Sequence, residues 1–184
     1  MGDDNTAIGT ETRYAEVYEI EKFIKHESYD PISETNDYDI AVVKTVKNIR
    51  YTRGVGPACL PYNYAIPSFF ENKIVTVPGW GALEFGGPSP TKLQKVRLNV
   101  ITEASCKTKL TNINDKKMCT YTANKDTCTR DSGGILYYIL GKQIAAGIVS
   151  YGEACAVKPS VNTKISSFLL WIESNTYYTF YCKK

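Results

Sequence analysis

The sequence predicts an all-β fold, built as a barrel or a sandwich of short strands. Clusters of Gly, Pro, Asn and Asp separate its apolar runs, as turns between strands require. The composition is that of an ordinary globular protein, since 43% of the 184 residues are hydrophobic and 22% are charged. The runs that alternate in polarity or carry β-branched residues are 14–23, 40–46, 73–77, 93–101, 134–140, 143–150 and 160–165.

Only two segments have a helical pattern. One is brief and covers residues 102–110, and the other covers residues 166–175 near the end of the chain. Ser166 or Ser167 is expected to cap the second helix. Its buried face is expected to consist of Phe168, Leu169, Trp171 and Ile172.

A proline-rich connection divides the predicted strands into two groups. Residues 56–67 contain three prolines between strand-like runs, which is typical of a crossing between two lobes. We therefore expect a boundary near residue 70. Residues 1–70 would form the first lobe with the crossing segment, and residues 71–184 would form the second lobe with the C-terminal helix.

Charge and hydropathy argue against binding to nucleic acid and against insertion into a membrane. The net charge is only +3 and the lysines are scattered among acids, so no nucleic-acid interface is expected. No apolar run approaches the ~18 residues of a membrane span, and residues 1–4 lack the features of a secretory signal. The sequence thus predicts neither membrane insertion nor an export signal within the given chain.

The six cysteines favour disulfides over metal binding. They are even in number, form no Cys-x-x-Cys pair and have no histidine nearby to complete a zinc site. Disulfides imply an oxidising compartment, whereas free thiols in a cytosolic protein are the alternative. We expect no metal and no cofactor.

A short turn around Ser132 is the strongest chemical signal. Asp131 precedes this serine and Gly133-Gly134 follow it, which suits a sharp turn that exposes a hydroxyl while neighbouring N–H groups converge. Converging donors of this kind stabilise an oxyanion. An ordinary surface loop is the alternative for this tetrapeptide taken alone.

Five landmarks together resemble the chymotrypsin-like serine proteases of the trypsin branch, and the match extends along essentially the whole chain. The resemblance implies two six-stranded β-barrels and a C-terminal helix, with the first barrel incomplete here. The landmarks are Asn36–Ala41, Gly79-Trp-Gly81, Cys128–Gly134, Gly147–Gly152 and the final helix with Trp171.

The resemblance also implies roles for individual residues. Ser132 would be the nucleophile, and Asp39 would be the buried carboxylate that orients a catalytic histidine. Ser150 would flank that carboxylate. The N–H groups of Arg130 and Ser132 would form the oxyanion hole.

A primary specificity pocket is implied as well. Asp126 would lie at its floor, where a carboxylate in a narrow slot favours a Lys or Arg side chain of the substrate. The chain is therefore expected to belong to an endopeptidase that cleaves after basic residues through an acyl-enzyme. The substrate-binding residues would be Asp126, Thr127, Ser150, Tyr151, Gly152 and Ser160.

Three positions depart from the family pattern. Ser160 replaces a pocket-wall glycine and should narrow the slot against arginine, and Asn162 replaces a tyrosine of the back wall. Arg130 replaces the oxyanion-hole glycine. If that turn requires positive φ the β-carbon is costly, and the cation would reshape docking of protein substrates and protease inhibitors.

The same resemblance implies disulfide pairs. Cys106 would pair with Cys119, and Cys128 with Cys155. Cys59 and Cys182 would bond to each other or to polypeptide that is absent here.

The chain contains one histidine, His26, and we do not expect it to be the catalytic base. It lies only thirteen positions before Asp39, whereas the family's base lies well upstream in an Ala-Ala-His-Cys setting. The match begins near residue 1, so the base is expected on a missing N-terminal segment and the chain alone should be inactive. Two readings follow: a truncated, secreted, extracellular endopeptidase acting on polypeptides, or a non-catalytic homologue with a binding or regulatory role.

Overall fold

The computed structural model describes residues 1–7, 12–82, 87–123, 131–152, 158–177 and 179–183. Within these ranges eight strands form two antiparallel sheets, so the all-β prediction is confirmed. The strands are β1 (Ile20–Lys25), β2 (Ala41–Thr45), β3 (Ile74–Gly79), β4 (Gln94–Asn99), β5 (Lys117–Thr120), β6 (Ile135–Leu140), β7 (Lys142–Tyr151) and β8 (Ser160–Lys164).

The first sheet contains β1 and β2 alone among the described residues. Phe23 lies directly opposite Val43 in their antiparallel register, and both side chains are exposed. Paired residues of neighbouring strands share one face of a sheet, so these two side chains form an uncovered apolar face. This two-stranded sheet agrees with the expectation of an incomplete first barrel.

The second sheet contains the other six described strands in the order β4-β3-β6-β7-β8-β5. Its two edge strands meet at their ends, because Val100 forms a bridge with Thr120 and the Tyr121 N–H donates to the Asn99 oxygen at 2.9 Å. The sheet therefore curves round an apolar interior. Buried side chains that fill it are Val75, Val77, Leu98, Val100, Met118, Leu136, Ile144, Ala146 and Val149.

Strand predictions agree with most of the described strands and differ in two places. The first run, predicted at residues 14–23, forms a strand only at residues 20–25. Strand β5 was not predicted. It has four residues and all of them are buried, so it lacks the alternation that identifies a half-exposed strand.

The two described helices are short, and neither is long enough to span a bilayer. Helix α1 (Glu103–Lys107) is capped by Thr102, whose hydroxyl accepts from the Ser105 N–H at 3.1 Å. Helix α2 (Leu169–Ser174) follows a 3₁₀ turn, Ile165–Phe168, and has no side-chain cap. The predicted serine cap was wrong, because Ser167 donates its hydroxyl to the Asp115 carbonyl at 2.7 Å instead.

Two disulfides lie within the described residues. Cys106 pairs with Cys119, as expected, and links α1 to β5. Cys59 pairs with Cys182 and ties the crossing segment to the C-terminal tail, which selects one of the two predicted possibilities. Each bridge contributes about 2–4 kcal/mol in typical proteins. The lobe boundary near residue 70 stays a prediction.

Candidate active site

The Asp39 side chain lies where the first sheet meets the second. This residue is half-buried and precedes β2. Its carboxylate accepts a hydrogen bond from the Ser150 hydroxyl at 2.6 Å, and its backbone oxygen accepts one from the Thr163 hydroxyl at 2.7 Å. Strands β7 and β8 of the second sheet therefore hold the acid. Thr163 was not predicted, since a lone threonine in a short strand carries no motif.

The Ser132 side chain is exposed at the tip of a tight turn. Gly133 has φ +84°, a conformation that favours glycine, and the Gly134 N–H donates to the Asp131 oxygen at 2.9 Å. A β-carbon on Gly134 would lie 2.8 Å from that same oxygen. Both glycines are thus required by the backbone of the turn that presents the serine.

Strand β7 anchors both Ser132 and Asp39. The Gly133 N–H donates to the Val149 oxygen at 2.9 Å, and the Val149 N–H donates to the Gly134 oxygen at 2.8 Å. The next residue, Ser150, holds the Asp39 carboxylate. Adjacent residues of one strand therefore fix the serine turn and the acid in a common frame.

The Asp131 carboxylate contacts the Gly79-Trp-Gly81 motif. Its Oδ1 accepts from the Gly81 N–H at 3.0 Å. A β-carbon on Gly79 would lie 2.0 Å from Oδ1, and one on Gly81 would lie 2.3 Å from Oδ2. The motif is therefore explained by close packing of two glycines against this carboxylate.

The described part of the predicted pocket wall brings Ser160 against Gly152. The Ser160 side chain is buried, and a β-carbon on Gly152 would lie 2.8 Å from its hydroxyl oxygen. Tyr151, the neighbour of Gly152, pairs with Val161 across β7 and β8. The serine hydroxyl therefore occupies space between the two strands that a glycine would leave open.

Asn162 lies two residues beyond Ser160, on the same face of β8. Its Nδ2 donates to the Met118 carbonyl at 3.0 Å and to the Thr120 hydroxyl at 3.2 Å. Its Oδ1 is the one buried side-chain oxygen or nitrogen in the described ranges that lacks a hydrogen-bond partner. An unpaired buried acceptor is unfavourable unless water or a ligand satisfies it.

Several predicted site residues lie outside the described residues. They include the pocket-floor acid Asp126, its neighbour Thr127 and the oxyanion-hole residue Arg130. The predicted partners Cys128 and Cys155 are outside as well. Their roles stay predictions.

His26 packs against the C-terminal helix. Its ring is buried, with centroid distances of 4.8 Å to Trp171 and 4.7 Å to Tyr38. Its Nδ1 accepts from the Ser28 N–H at 3.1 Å. Among the described residues it makes no hydrogen bond with Asp39 or Ser132. These contacts are those of an interior packing residue.

Comparison of the sequence with known proteins identifies its family. The sequence profile of the family described as trypsin matches residues 2–172. The chain is 38% identical over 188 residues to venom serine protease 34 of Apis mellifera, covering 99% of this chain and 46% of that protein. It is 34% identical to a venom serine protease of Polistes dominula, covering 100% of this chain and 66% of the relative. With chymotrypsin-2 of Vespa crabro it shares 37% identity over 161 residues, 86% of this chain and 70% of the relative. The chain belongs to the trypsin family of chymotrypsin-like serine proteases.

Proposed function

We propose that the complete protein is a serine endopeptidase that hydrolyses polypeptides through an acyl-enzyme at Ser132. The observation that carries the proposal is the common anchoring of the Ser132 turn and Asp39 on Val149 and Ser150. In this scheme the Ser132 oxygen attacks the scissile carbonyl and passes its proton to an imidazole. Asp39 orients that imidazole, which donates the proton to the leaving amine as the peptide C–N bond breaks and the Ser132 ester forms. Water, deprotonated by the imidazole, then hydrolyses the ester and restores the Ser132 hydroxyl.

The imidazole would come from polypeptide outside the given sequence. His26 is the chain's one histidine, and its ring is committed to packing against Tyr38 and Trp171. We therefore propose that the 184-residue chain is inactive alone. Loss of the catalytic histidine costs on the order of 10⁶ in kcat in a well-studied serine protease.

For specificity we propose cleavage after basic residues, with lysine preferred over arginine. Asp126 supplies the floor carboxylate in this proposal. The Ser160 hydroxyl oxygen lies 2.8 Å from the position that a β-carbon on Gly152 would take, and this close approach supports a slot too narrow for a planar guanidinium.

Secretion is part of the proposal. The Cys106–Cys119 and Cys59–Cys182 disulfides support an oxidising compartment. Two relatives are named as venom serine proteases, which agrees with export. Polypeptide substrates and protein protease inhibitors are the proposed partners.

A second candidate is a non-catalytic homologue that binds or regulates other proteins. The packing of His26 away from Asp39 and Ser132 favours it, as does Arg130 in place of the expected glycine. Such a protein would bind a polypeptide without hydrolysing it.

Hydrolysis of matched peptides distinguishes the two candidates. The chain extended by the coding sequence that precedes residue 1 should cleave a peptide with lysine before the scissile bond faster than its arginine counterpart. Ser160→Gly should raise the rate on the arginine peptide, because removing the hydroxymethyl group widens the slot. A folded, extended protein that binds both peptides and cleaves neither would refute the enzyme reading.

A further inference from the structure

Lys117 is a buried ammonium between the two lobes. Its side chain is only 3% exposed although it belongs to the short strand β5. Its Nζ donates to the carbonyls of Thr35 and Asn112 and lies 3.1 Å from Asp37 Oδ1. An ammonium has three donors, and all three have an acceptor here.

The carboxylate of Asp37 is held from a second side. Asn114 Nδ2 donates to both of its oxygens, at 2.9 and 3.1 Å. Asp37 belongs to the loop that leads into Asp39, whereas Asn114 and Lys117 belong to the second lobe. We call Asp37, Asn114 and Lys117 the interlobe clamp.

The loop held by the interlobe clamp has an unfavourable backbone conformation. Asn36 has φ 47° and Tyr38 has φ 60°, and the second is unusual for a bulky residue. Such conformations persist where the surroundings over-determine them. Tyr38 directly precedes Asp39, so relaxation of its backbone would re-aim the carboxylate that Ser150 holds.

Lys117 also contacts Tyr151, the residue that follows Ser150. Its Nζ lies 5.7 Å from the centroid of the Tyr151 ring, within the range of a cation–π interaction. Tyr151 follows Ser150 on β7. On β8, Thr163 pairs with Lys117 and donates to the Asp39 carbonyl. The ammonium thus contacts Asp37, in the loop that carries Asp39, and Tyr151, the neighbour of Ser150.

We propose that Lys117 is a positioning residue of the active site, which acts through Asp37 and Tyr151 to hold Asp39 against Ser150. Stability alone gives a weak reason for the charge, because well-packed apolar residues often serve as well as a buried ion pair. A catalytic meaning for this positioning rests on the proposed function.

The test is the environment of Asp39 in the 184-residue chain, and it needs no catalysis. The side-chain carboxyl carbon is labelled with ¹³C and assigned by its loss in Asp39→Asn. Lys117→Met should shift this resonance. It should also accelerate amide exchange at Ile40, whose N–H donates to the Tyr38 oxygen at 2.7 Å, on the order of tenfold.

Lys107→Met is the matched control. It removes the same charge from the same lobe, but Lys107 is exposed and pairs with Glu103 within one helix. The Asp39 resonance and the Ile40 exchange rate should be unchanged in this variant.

Two outcomes overturn the inference. One is an unshifted Asp39 resonance in folded Lys117→Met. The other is amide exchange that accelerates as much throughout β6 and β7 of that variant as it does at Ile40. If Lys117→Met does not fold, the same measurement on Asp37→Asn tests the proposal. It keeps the shape of the clamp and removes its charge pair, so it should also shift the Asp39 resonance, and an unshifted resonance refutes the proposal. A shifted resonance together with absent hydrolysis in the extended protein would refute the proposed function alone.

Discussion

The hydrogen bond from Ser150 to Asp39 is the contact on which the proposed chemistry depends most closely. A hydrogen bond to a charged group contributes about 1.5–3 kcal/mol. In the extended, active protein, Ser150→Ala should therefore lower kcat by roughly tenfold or more, because Asp39 loses the donor that fixes its orientation. Steady-state kinetics on a lysine peptide measure this effect.

Ser167→Ala is the control for that prediction. Ser167 also donates a hydroxyl hydrogen bond, but it does so to the Asp115 carbonyl on the surface. Its removal should leave kcat unchanged. Equal values of kcat for wild type and Ser150→Ala would contradict the assigned role of Ser150.

The charge on Asp37 gives the interlobe clamp a defined pH dependence. Desolvation opposes ionisation of this carboxyl, but hydrogen bonds from Asn114 and Lys117, with the nearby charges of Lys117 and Lys116, outweigh it and lower its pKa. A folded-state pKa below the unfolded value stabilises the fold above about pH 4. That contribution disappears as the pH falls through the folded-state pKa.

Asp37→Asn should accordingly lower the free energy of unfolding at pH 7, with a difference from wild type that shrinks below about pH 4. Urea titrations at several pH values measure it. Asp115→Asn, which alters an exposed carboxylate 3.5 Å from Lys116, should show little effect at any pH. A difference for Asp37→Asn that stays constant between pH 7 and pH 3 would contradict the account.

Residues of the site differ in how far the sequence reveals them. Ser132 and Asp39 stand in motifs, so resemblance identifies them. Lys117 follows Lys116 in the sequence, and nothing in this pair indicates which lysine is buried. Only the register of β5 against β8, which places Lys117 opposite Thr163, turns it toward the Asp39 loop.

At the scale of elements, the Gly-Trp-Gly motif and the Ser132 turn form one packed unit through Asp131. A β-carbon on Gly81 would lie 2.3 Å from the Asp131 carboxylate, which must then move and lose the Gly81 N–H donor. Overpacking of this kind costs about 1–3 kcal/mol. Gly81→Ala should lower the free energy of unfolding of the chain by that amount.

Gly56→Ala is the matched control, because a β-carbon there would meet no atom within 4 Å. It should change stability little, and urea titration of both variants makes the comparison. Equal stability of the two variants would show that the contact between Asp131 and Gly81 is absent in solution.

Strand β5 shows why element prediction from sequence stops where it does. Its residues are buried on both faces, and two of them, Lys117 and Thr120, are polar. The sequence of β5 therefore shows neither a run of apolar residues nor an alternation of apolar and polar residues, and either pattern would have indicated a strand. Pairing with β8 and the Cys106–Cys119 disulfide fix it in place, and both are long-range features that a local pattern does not contain.

At the scale of the whole molecule, the site depends on contacts between a small first sheet and a larger second one. The Asp39–Ser150 hydrogen bond, the interlobe clamp and the packing of His26 against Trp171 all join these parts. The sequence predicts both parts through strand periodicity and family resemblance. It does not predict the polar contacts between them, because these depend on side-chain positions far apart in the chain.

Covalent labelling of Ser132 by a fluorophosphonate tests the central claim most directly, since the probe reacts with an activated serine. The extended protein should carry one label on the peptide that contains Ser132, and Ser132→Ala should carry none. The 184-residue chain should react far more slowly, because the proposed base lies outside it. A folded, extended protein that leaves Ser132 unlabelled, or a 184-residue chain that labels equally fast, would contradict the account.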